Sequence, residues 1–302
     1  MSDMTVILNP VAGRAAGSRL SPQVVACLAD QGMDFELVET KAPGHATSLA
    51  REAVARGQPL IVAVGGDGTV SEVLNGLVGA SHGPDGTALG VIPIGTGNDF
   101  AYAAGLPLTL QGASQAIATG QTRVVDVGWV QADNEEGRYF GNGVGIGFDA
   151  IVNIESRKLQ RLRGFAVYLV AVFRTLAFYY HAPLVEVKVD GQGTVQPSMM
   201  LSIMNGQRFG GGFLMTPGSQ MDDGLFDVCV VGQVPRAAMV GFVPRFMRGT
   251  HVTDPRVSLS QGREVRVVSE SPWAAHVDGE IYGLGASRYE MALLPQRLRL
   301  LC

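Results

Sequence analysis

The chain has 302 residues, 46% hydrophobic and 17% charged, with a formal net charge of -4. A single core stops growing at roughly 250–300 residues, so two domains are expected, and balanced charge without a basic block argues against nucleic acid as a partner. Cys27, Cys229 and Cys302 are odd in number and lack CxxC spacing, which argues against zinc or redox chemistry and fits reduced thiols in a cytosol.

The amino terminus runs into a strand-like Val6-Ile7-Leu8 with no basic flank and no long apolar region of a signal peptide, so a cytoplasmic protein is expected. Next comes the loop Asn9-Pro10-Val11-Ala12-Gly13-Arg14, then a helix expected to be capped by Ser21, with Pro22 in its first position and Gly32 at its end. Arg14 reads equally well as a solvated loop residue or as a phosphate contact.

Residues 59–64 form a second apolar run, followed by Gly65-Gly66-Asp67-Gly68-Thr69 and a helix-like stretch at 70–77. A strand feeding a glycine loop that opens a helix aims backbone N–H groups and the positive helix end at one spot, which suits phosphate. Asp67 beside phosphate is repelled unless a metal lies between them, so nucleotide with Mg²⁺ is implied. Thr69 and Glu72 have capping-box spacing, so each reads either as a helix cap or as part of the site. A third transition joins the run 89–94 through Gly95-Thr96-Gly97-Asn98-Asp99 to a helix-like 100–104. Alternating strands and helices predict a mostly parallel α/β sheet over residues 1–127, whose loops at the strand carboxyl ends converge around one nucleotide. No Gly-Lys dipeptide occurs, so there is no Walker A motif.

Beyond Gly128 the texture turns to β-branched runs at 184–189, 226–231 and 264–268, predicting a mainly antiparallel β domain over 128–292. Residues 293–302 are expected to return to the first domain. The apolar window 164–180 is short for a membrane span and is interrupted by Arg174, so a partly buried helix is preferred. Arg157, Lys158, Arg161 and Arg163 precede it, and a helix dipping into a membrane surface is the alternative. Gly145-Ile146-Gly147-Phe148-Asp149-Ala150 matches a dinucleotide fingerprint, but no acidic residue follows between Glu155 and Glu186 to hold a ribose; its glycines read as close backbone packing. Asp222-Asp223-Gly224 is a charged turn or a cation site, Asp278-Gly279-Glu280 is by default a solvated turn, and the five histidines show no metal or triad spacing.

Taken in order, Asn9-Pro10 with Gly13-Arg14, Gly65 to Thr69 with Glu72 and Asn75, Gly95 to Phe100 and Val125-Asp126-Val127-Gly128 resemble the diacylglycerol kinase catalytic family. Asn142-Gly143, Gly145 to Ala150, Asn205-Gly206, Gly210-Gly211-Gly212, Asp222 to Val228 and Asp278-Gly279-Glu280 resemble its bacterial soluble lipid kinase branch. The resemblance implies an ATP-dependent lipid kinase with an α/β nucleotide domain of the NAD kinase and diacylglycerol kinase type and a C-terminal β-sandwich domain for the lipid. It implies ATP contacts at Thr40, along the loop from Gly66 to Glu72 and at Thr96, flanked by Asn9 and by Arg14, which stands where relatives often carry lysine. Glu280 is implied as general base, and a structural Mg²⁺ is implied on the Asp223 carboxylate with the carbonyls of Gln220 and Leu225. A lipid acceptor implies work at a membrane surface, peripheral on its inner face, with a homodimer left open. The rivals are an NAD kinase-like enzyme acting on a soluble acceptor and a nucleotide-binding regulator without catalysis.

Overall fold

Strands covered on both faces read as continuous apolar runs, and the first part of the chain is built from them. In the computed structural model, which describes residues 3–80, 86–159 and 165–302, β1 (Met4–Leu8), β2 (Glu36–Glu39), β3 (Leu60–Gly65) and β4 (Ala88–Pro93) pair in parallel in the order β4-β3-β1-β2. The strands alternate with α1 (Ala12–Asp30), α2 (His45–Ala55), α3 (Asp67–Ala80), α4 (Asp99–Ala103) and α5 (Leu110–Thr119). Met4, Val6 and Leu8 share one core with Val62, Val64 and Ile92 of the neighbouring strands, Val24 and Leu28 of α1, and Ala113 and Ile117 of α5. On the α2 side, a Cβ on Gly76 would lie 2.4 Å from the Thr47 carbonyl oxygen, so only glycine permits that approach of α3 to α2.

Two helix starts differ from expectation. Ser21-Pro22 looks like a helix start, yet α1 begins at Ala12 and carries Pro22 inside it. Proline there forgoes one backbone bond, while Val24 and Leu28 hold the helix in the core. In α3 the Val70 N–H already donates to the Gly66 carbonyl at 3.1 Å, so Asp67, Gly68 and Thr69 form the first helical turn rather than a loop.

The chain divides into two compact units, unit 1 comprising Met1–Val127 with Leu294–Cys302 and unit 2 comprising Gly128–Leu293. After β5 (Thr122–Ala132), unit 2 contains β6 (Arg138–Phe140), β7 (Gly143–Gly147), α6 (Phe148–Lys158), α7 (Phe165–Phe178), β8 (Leu184–Val189), β9 (Gln192–Met204), β10 (Arg208–Phe209), β11 (Phe213–Leu214), β12 (Phe226–Gly232), α8 (Arg236–Arg248), β13 (Val257–Gly262), β14 (Glu264–Ser269), β15 (Ala275–Val277) and β16 (Glu280–Tyr282). The last strand, β17 (Arg288–Leu301), ends in unit 1, where Leu300 pairs in parallel with Leu89 of β4.

Unit 2 is an antiparallel sandwich. One layer runs β13-β12-β9-β7-β15-β16 and the other continues from the first half of β9 through β8 and β14 to β17. The period of two along β12 shows how the layers are filled. Phe226, Val228 and Val230 enter the core with Phe140, Ile203 and Val267, whereas Cys229 and Val231 turn to the helices and pack with Val152 of α6, Ala171, Val172 and Leu176 of α7, and Phe242 and Phe246 of α8.

The helix expected in the 164–180 window is α7, with Val167, Ala171, Val172, Thr175 and Leu176 buried at helical spacing while Phe173 and Phe178 face out. Among the described residues no helix is long and apolar enough to cross a membrane. Arg161 and Arg163 of the basic cluster lie outside the described residues. Helices α6 and α8 were not expected, because glycine crowding before α6 and Pro244 inside α8 mask their periodicity.

Phe140 is fully buried, and its ring stacks on Phe226 with centroids 5.4 Å apart. Phe140→Ala is expected to destabilise unit 2 by about 3–5 kcal/mol through lost burial and a residual cavity. Both tryptophans of the chain, Trp129 and Trp273, lie in unit 2, so urea unfolding followed by tryptophan fluorescence checks it. An unchanged midpoint would contradict the packing described.

Candidate active site

In unit 1 the strand carboxyl ends are tied together by backbone bonds. Asn9 N–H donates to the Val64 carbonyl at 3.0 Å, Thr40 N–H to Leu8 at 2.9 Å and Ile94 N–H to Gly65 at 2.9 Å. The loops that follow β1, β3 and β4 therefore converge on one end of the sheet. Gly66 and Gly95 meet there without side chains, since a Cβ on Gly95 would lie 2.5 Å from the Gly66 Cα. Gly13 (φ +57°) packs as closely, its Cβ position lying 2.4 Å from the Ile94 carbonyl oxygen.

Side chains lock the same junction. Asn9 Nδ2 donates to Thr69 Oγ1 at 2.9 Å, and Asn9 Oδ1 accepts the Val11 N–H at 3.1 Å. Asn98, at φ +50°, accepts the Gly95 N–H at 2.9 Å and returns its amide to the Gly95 carbonyl at 3.1 Å. Asp67 Oδ1 accepts the Phe100 N–H at 3.2 Å, tying the start of α3 to that of α4. A Cβ on Gly97 would lie 2.9 Å from Asp67 Oδ2 and 3.3 Å from Asp99 Oδ2, so two carboxylates face one bare glycine. By donor type, two carboxylates side by side fit a hard cation such as Mg²⁺. The sequence presents Asp99 only as a member of the loop motif from Gly95 to Phe100.

Glu72 does not close a capping box on its own helix. Its Oε1 accepts the Gly44 N–H at 2.8 Å and its Oε2 the Ala46 N–H at 3.1 Å, capping α2 instead and holding the segment that follows Thr40. Thr96 is exposed in the loop after β4. The Arg14 side chain lies outside the described residues, although its backbone sits in the first turn of α1.

In unit 2, Asp278 is buried and accepts the N–H groups of Gly141, Asn142 and Gly143, each at 2.9 Å. Burial pushes its carboxyl above the usual carboxylate range, while these three donors pull the other way. Asp278 (φ +49°) and Gly279 (φ +82°) are both left-handed, and the turn they make delivers Glu280 to the start of β16. Glu280 Oε2 accepts from Arg157 Nη2 at 2.8 Å, with both side chains nearly half exposed. The sequence presented Arg157 only as part of a basic cluster.

Gln220 and Asp223 stand in an exposed turn before β12. Asp223 Oδ1 accepts the Leu225 N–H at 3.0 Å across Gly224, at φ +77°. Burial pushes the neighbouring Asp227 carboxyl up, and the charge of Asp223 adds to the rise. By donor type this turn fits a hard cation. Among the described residues, no group of three or more His, Cys, Asp or Glu side chains is placed to hold a metal ion.

Residues 3–130 match the family described as the diacylglycerol kinase catalytic domain, and residues 142–302 match the YegS C-terminal NAD kinase beta sandwich-like domain. A diacylglycerol kinase of Bacillus subtilis (strain 168) is 31% identical over 94% of this chain and 91% of its own length. The chain belongs to the diacylglycerol kinase family. A Mycobacterium tuberculosis diacylglycerol kinase is 30% identical over 87% of this chain and 84% of its own. A crystal structure from Bacillus anthracis str. Sterne, described as a candidate diacylglycerol kinase, superposes with a TM-score of 0.81 at 26% identity, covering 99% of this chain and 96% of that one. An NAD kinase from Archaeoglobus fulgidus solved in complex with ATP shares the fold alone, at a TM-score of 0.52 and 11% identity over 99% and 93% of the two chains. Family membership makes the reaction class that of a kinase, a phosphotransferase, and the α/β unit followed by an antiparallel sandwich is the family's architecture.

Asp278→Asn would set an amide NH₂ against one of the three N–H donors. Leaving a buried donor unmatched costs roughly 1–3 kcal/mol, so the urea midpoint read by tryptophan fluorescence is expected to fall. A midpoint equal to wild type would show that the three amides do not depend on the carboxylate.

Proposed function

We infer that this chain is an ATP-dependent lipid kinase that transfers the γ-phosphate of Mg-ATP to a hydroxyl of a diacylglycerol-like lipid, with Glu280 as general base. The observation that carries the donor half of this reading is the junction of bare glycines at Gly66 and Gly95 beside the first turn of α3. Backbone N–H groups of a first helical turn have no partner within the helix, and a surface of glycines lets phosphate oxygens approach them. Gly65, Gly66, Gly68 and Thr69 then cradle phosphate, with Asn9, Arg14, Thr40 and Thr96 around it. Glu72 supports the site by fixing the start of α2.

Asp67 and Asp99 would hold Mg²⁺, which supplies charge neutralisation on the phosphates. The remaining work falls to the protein. Backbone amides stabilise negative charge developing on the transferred group, and Glu280 takes the proton of the lipid hydroxyl as the lipid oxygen attacks the γ-phosphorus in line, breaking its bond to the β–γ bridging oxygen and releasing ADP. A second Mg²⁺ on Asp223 with the carbonyls of Gln220 and Leu225 is structural in this reading. The names of the relatives support a lipid acceptor. The exposed Phe173, Phe178 and Tyr179 offer apolar surface on and just after α7 for approach to a membrane.

Glu280→Gln is expected to keep Mg-ATP affinity, measured calorimetrically, while turnover with diacylglycerol micelles falls by about 10²–10⁴-fold. Undiminished turnover would remove Glu280 from the mechanism. In the same assays Asp67→Ala is expected to lose Mg²⁺-dependent ATP binding, and a wild-type Mg²⁺ dependence would refute its role.

A further inference from the structure

Helix α6 carries Asp149, Asn153 and Arg157 at positions i, i+4 and i+8, a spacing that lines up side chains on one helix face. Asn153 and Arg157 reach the turn that carries Glu280, and Asp149 reaches His276 in the strand before it. Asn153 Nδ2 donates to the Gly279 carbonyl at 2.8 Å, and Arg157 Nη2 donates to the same oxygen at 2.9 Å and to Glu280 Oε2 at 2.8 Å. Arg157 Nε donates to Asn153 Oδ1 at 3.1 Å, which closes the set. On the other side of that residue, the Gly279 N–H donates to His276 Nδ1 at 3.3 Å. The neutral ring therefore carries its proton on Nε2, which faces Asp149 Oδ2 at 3.6 Å.

Space for this arrangement comes from a missing side chain. A Cβ on Gly145 would lie 2.1 Å from Asp149 Oδ2 and 2.4 Å from His276 Nε2. The first glycine of the stretch that imitates a dinucleotide fingerprint is thereby accounted for, since it leaves room for the contact between Asp149 and His276. Burial pushes the Asp149 carboxyl up, and the nearby His276 ring opposes that rise.

We propose that Asn153 and Arg157 on α6, backed by the Asp149–His276 contact, are the positioning residues for Glu280, fixing both the N–H and the carbonyl of Gly279 and occupying one carboxylate oxygen so that the other is presented to the acceptor hydroxyl. The proposal rests on Glu280 being the base. Arg157 is suited to this because its fork binds carbonyl and carboxylate at once, which the single ammonium of lysine does not reproduce. Its ion pair is nearly half exposed, and such pairs contribute little to stability, so its removal leaves folding in place.

The test measures kcat and the ATP KM with diacylglycerol micelles for Arg157→Met, Arg157→Lys, Asn153→Ala, Glu280→Gln and the double variant Arg157→Met/Glu280→Gln. The expected result is a fall in kcat of up to about 10²-fold for both Arg157 variants and for Asn153→Ala, the scale on which small misplacements act, with the ATP KM unchanged. In the Glu280→Gln background, Arg157→Met is expected to add no further loss to the residual rate. Wild-type kcat in the α6 variants, with Glu280→Gln impaired, overturns the positioning role and leaves the base intact. Equal losses from Arg157→Met in both backgrounds also overturn it, because Arg157 then acts independently of Glu280. Full turnover of Glu280→Gln removes the base and the positioning role together.

Discussion

The constraint on which the rest of unit 1 depends is the close approach of two backbones that have no side chains to separate them. Gly66, after β3, and Gly95, after β4, face each other so closely that one added methyl group would overlap a neighbouring Cα. Everything described at the strand ends of unit 1 is arranged around that contact. The ladder from β3 to β4 delivers the loops in register, Asn98 folds the second loop back on itself, and Asn9 reaches Thr69 to hold the first turn of α3. A site for phosphate needs N–H groups that substrate oxygens can reach, and glycine is the residue that leaves them uncovered. Carboxylates face the same ground from Asp67 and Asp99, the two groups assigned to Mg²⁺ in the proposed reading.

Unit 2 solves a different problem, the placement of one carboxylate at the end of a tight turn. Asp278 takes a left-handed backbone that few residues adopt, and the strain is held by three amides donating to its buried carboxylate. Gly279, also left-handed, is gripped at its carbonyl by α6 and at its N–H by His276. The result is a short strand whose first residue, Glu280, is directed by its surroundings while remaining partly open to solvent. That combination suits a proton acceptor that must meet substrate.

Legibility in the sequence followed the range of the interactions. The glycine loops, the parallel strands β1, β3 and β4 and the antiparallel runs at 184–189, 226–231 and 264–268 could be read because glycine placement and apolar periodicity are local signals. Helix starts could not, since Val24 and Leu28 hold α1 across Pro22 by tertiary packing. The role of Glu72 stays open in the sequence, because capping-box spacing does not reveal that α2 lies within reach. Asp149, Asn153 and Arg157 share a detectable spacing, but their target is about 120 residues further along the chain, where sequence order gives no hint of contact. His276 was passed over for the same reason, its partners lying on α6 and at Gly279 rather than on a recognisable histidine motif.

The central claim is that a donor site built on bare glycines serves transfer to a lipid hydroxyl. Its most direct test is to offer Mg-ATP labelled in the γ-phosphate to micelles of diacylglycerol, monoacylglycerol, phosphatidylglycerol and a sphingoid base, with NAD and water as the soluble acceptors. Label recovered in one of the lipids is the result this account predicts. Label found only in NAD, or ATP bound with no phosphate passed to any acceptor, would contradict it.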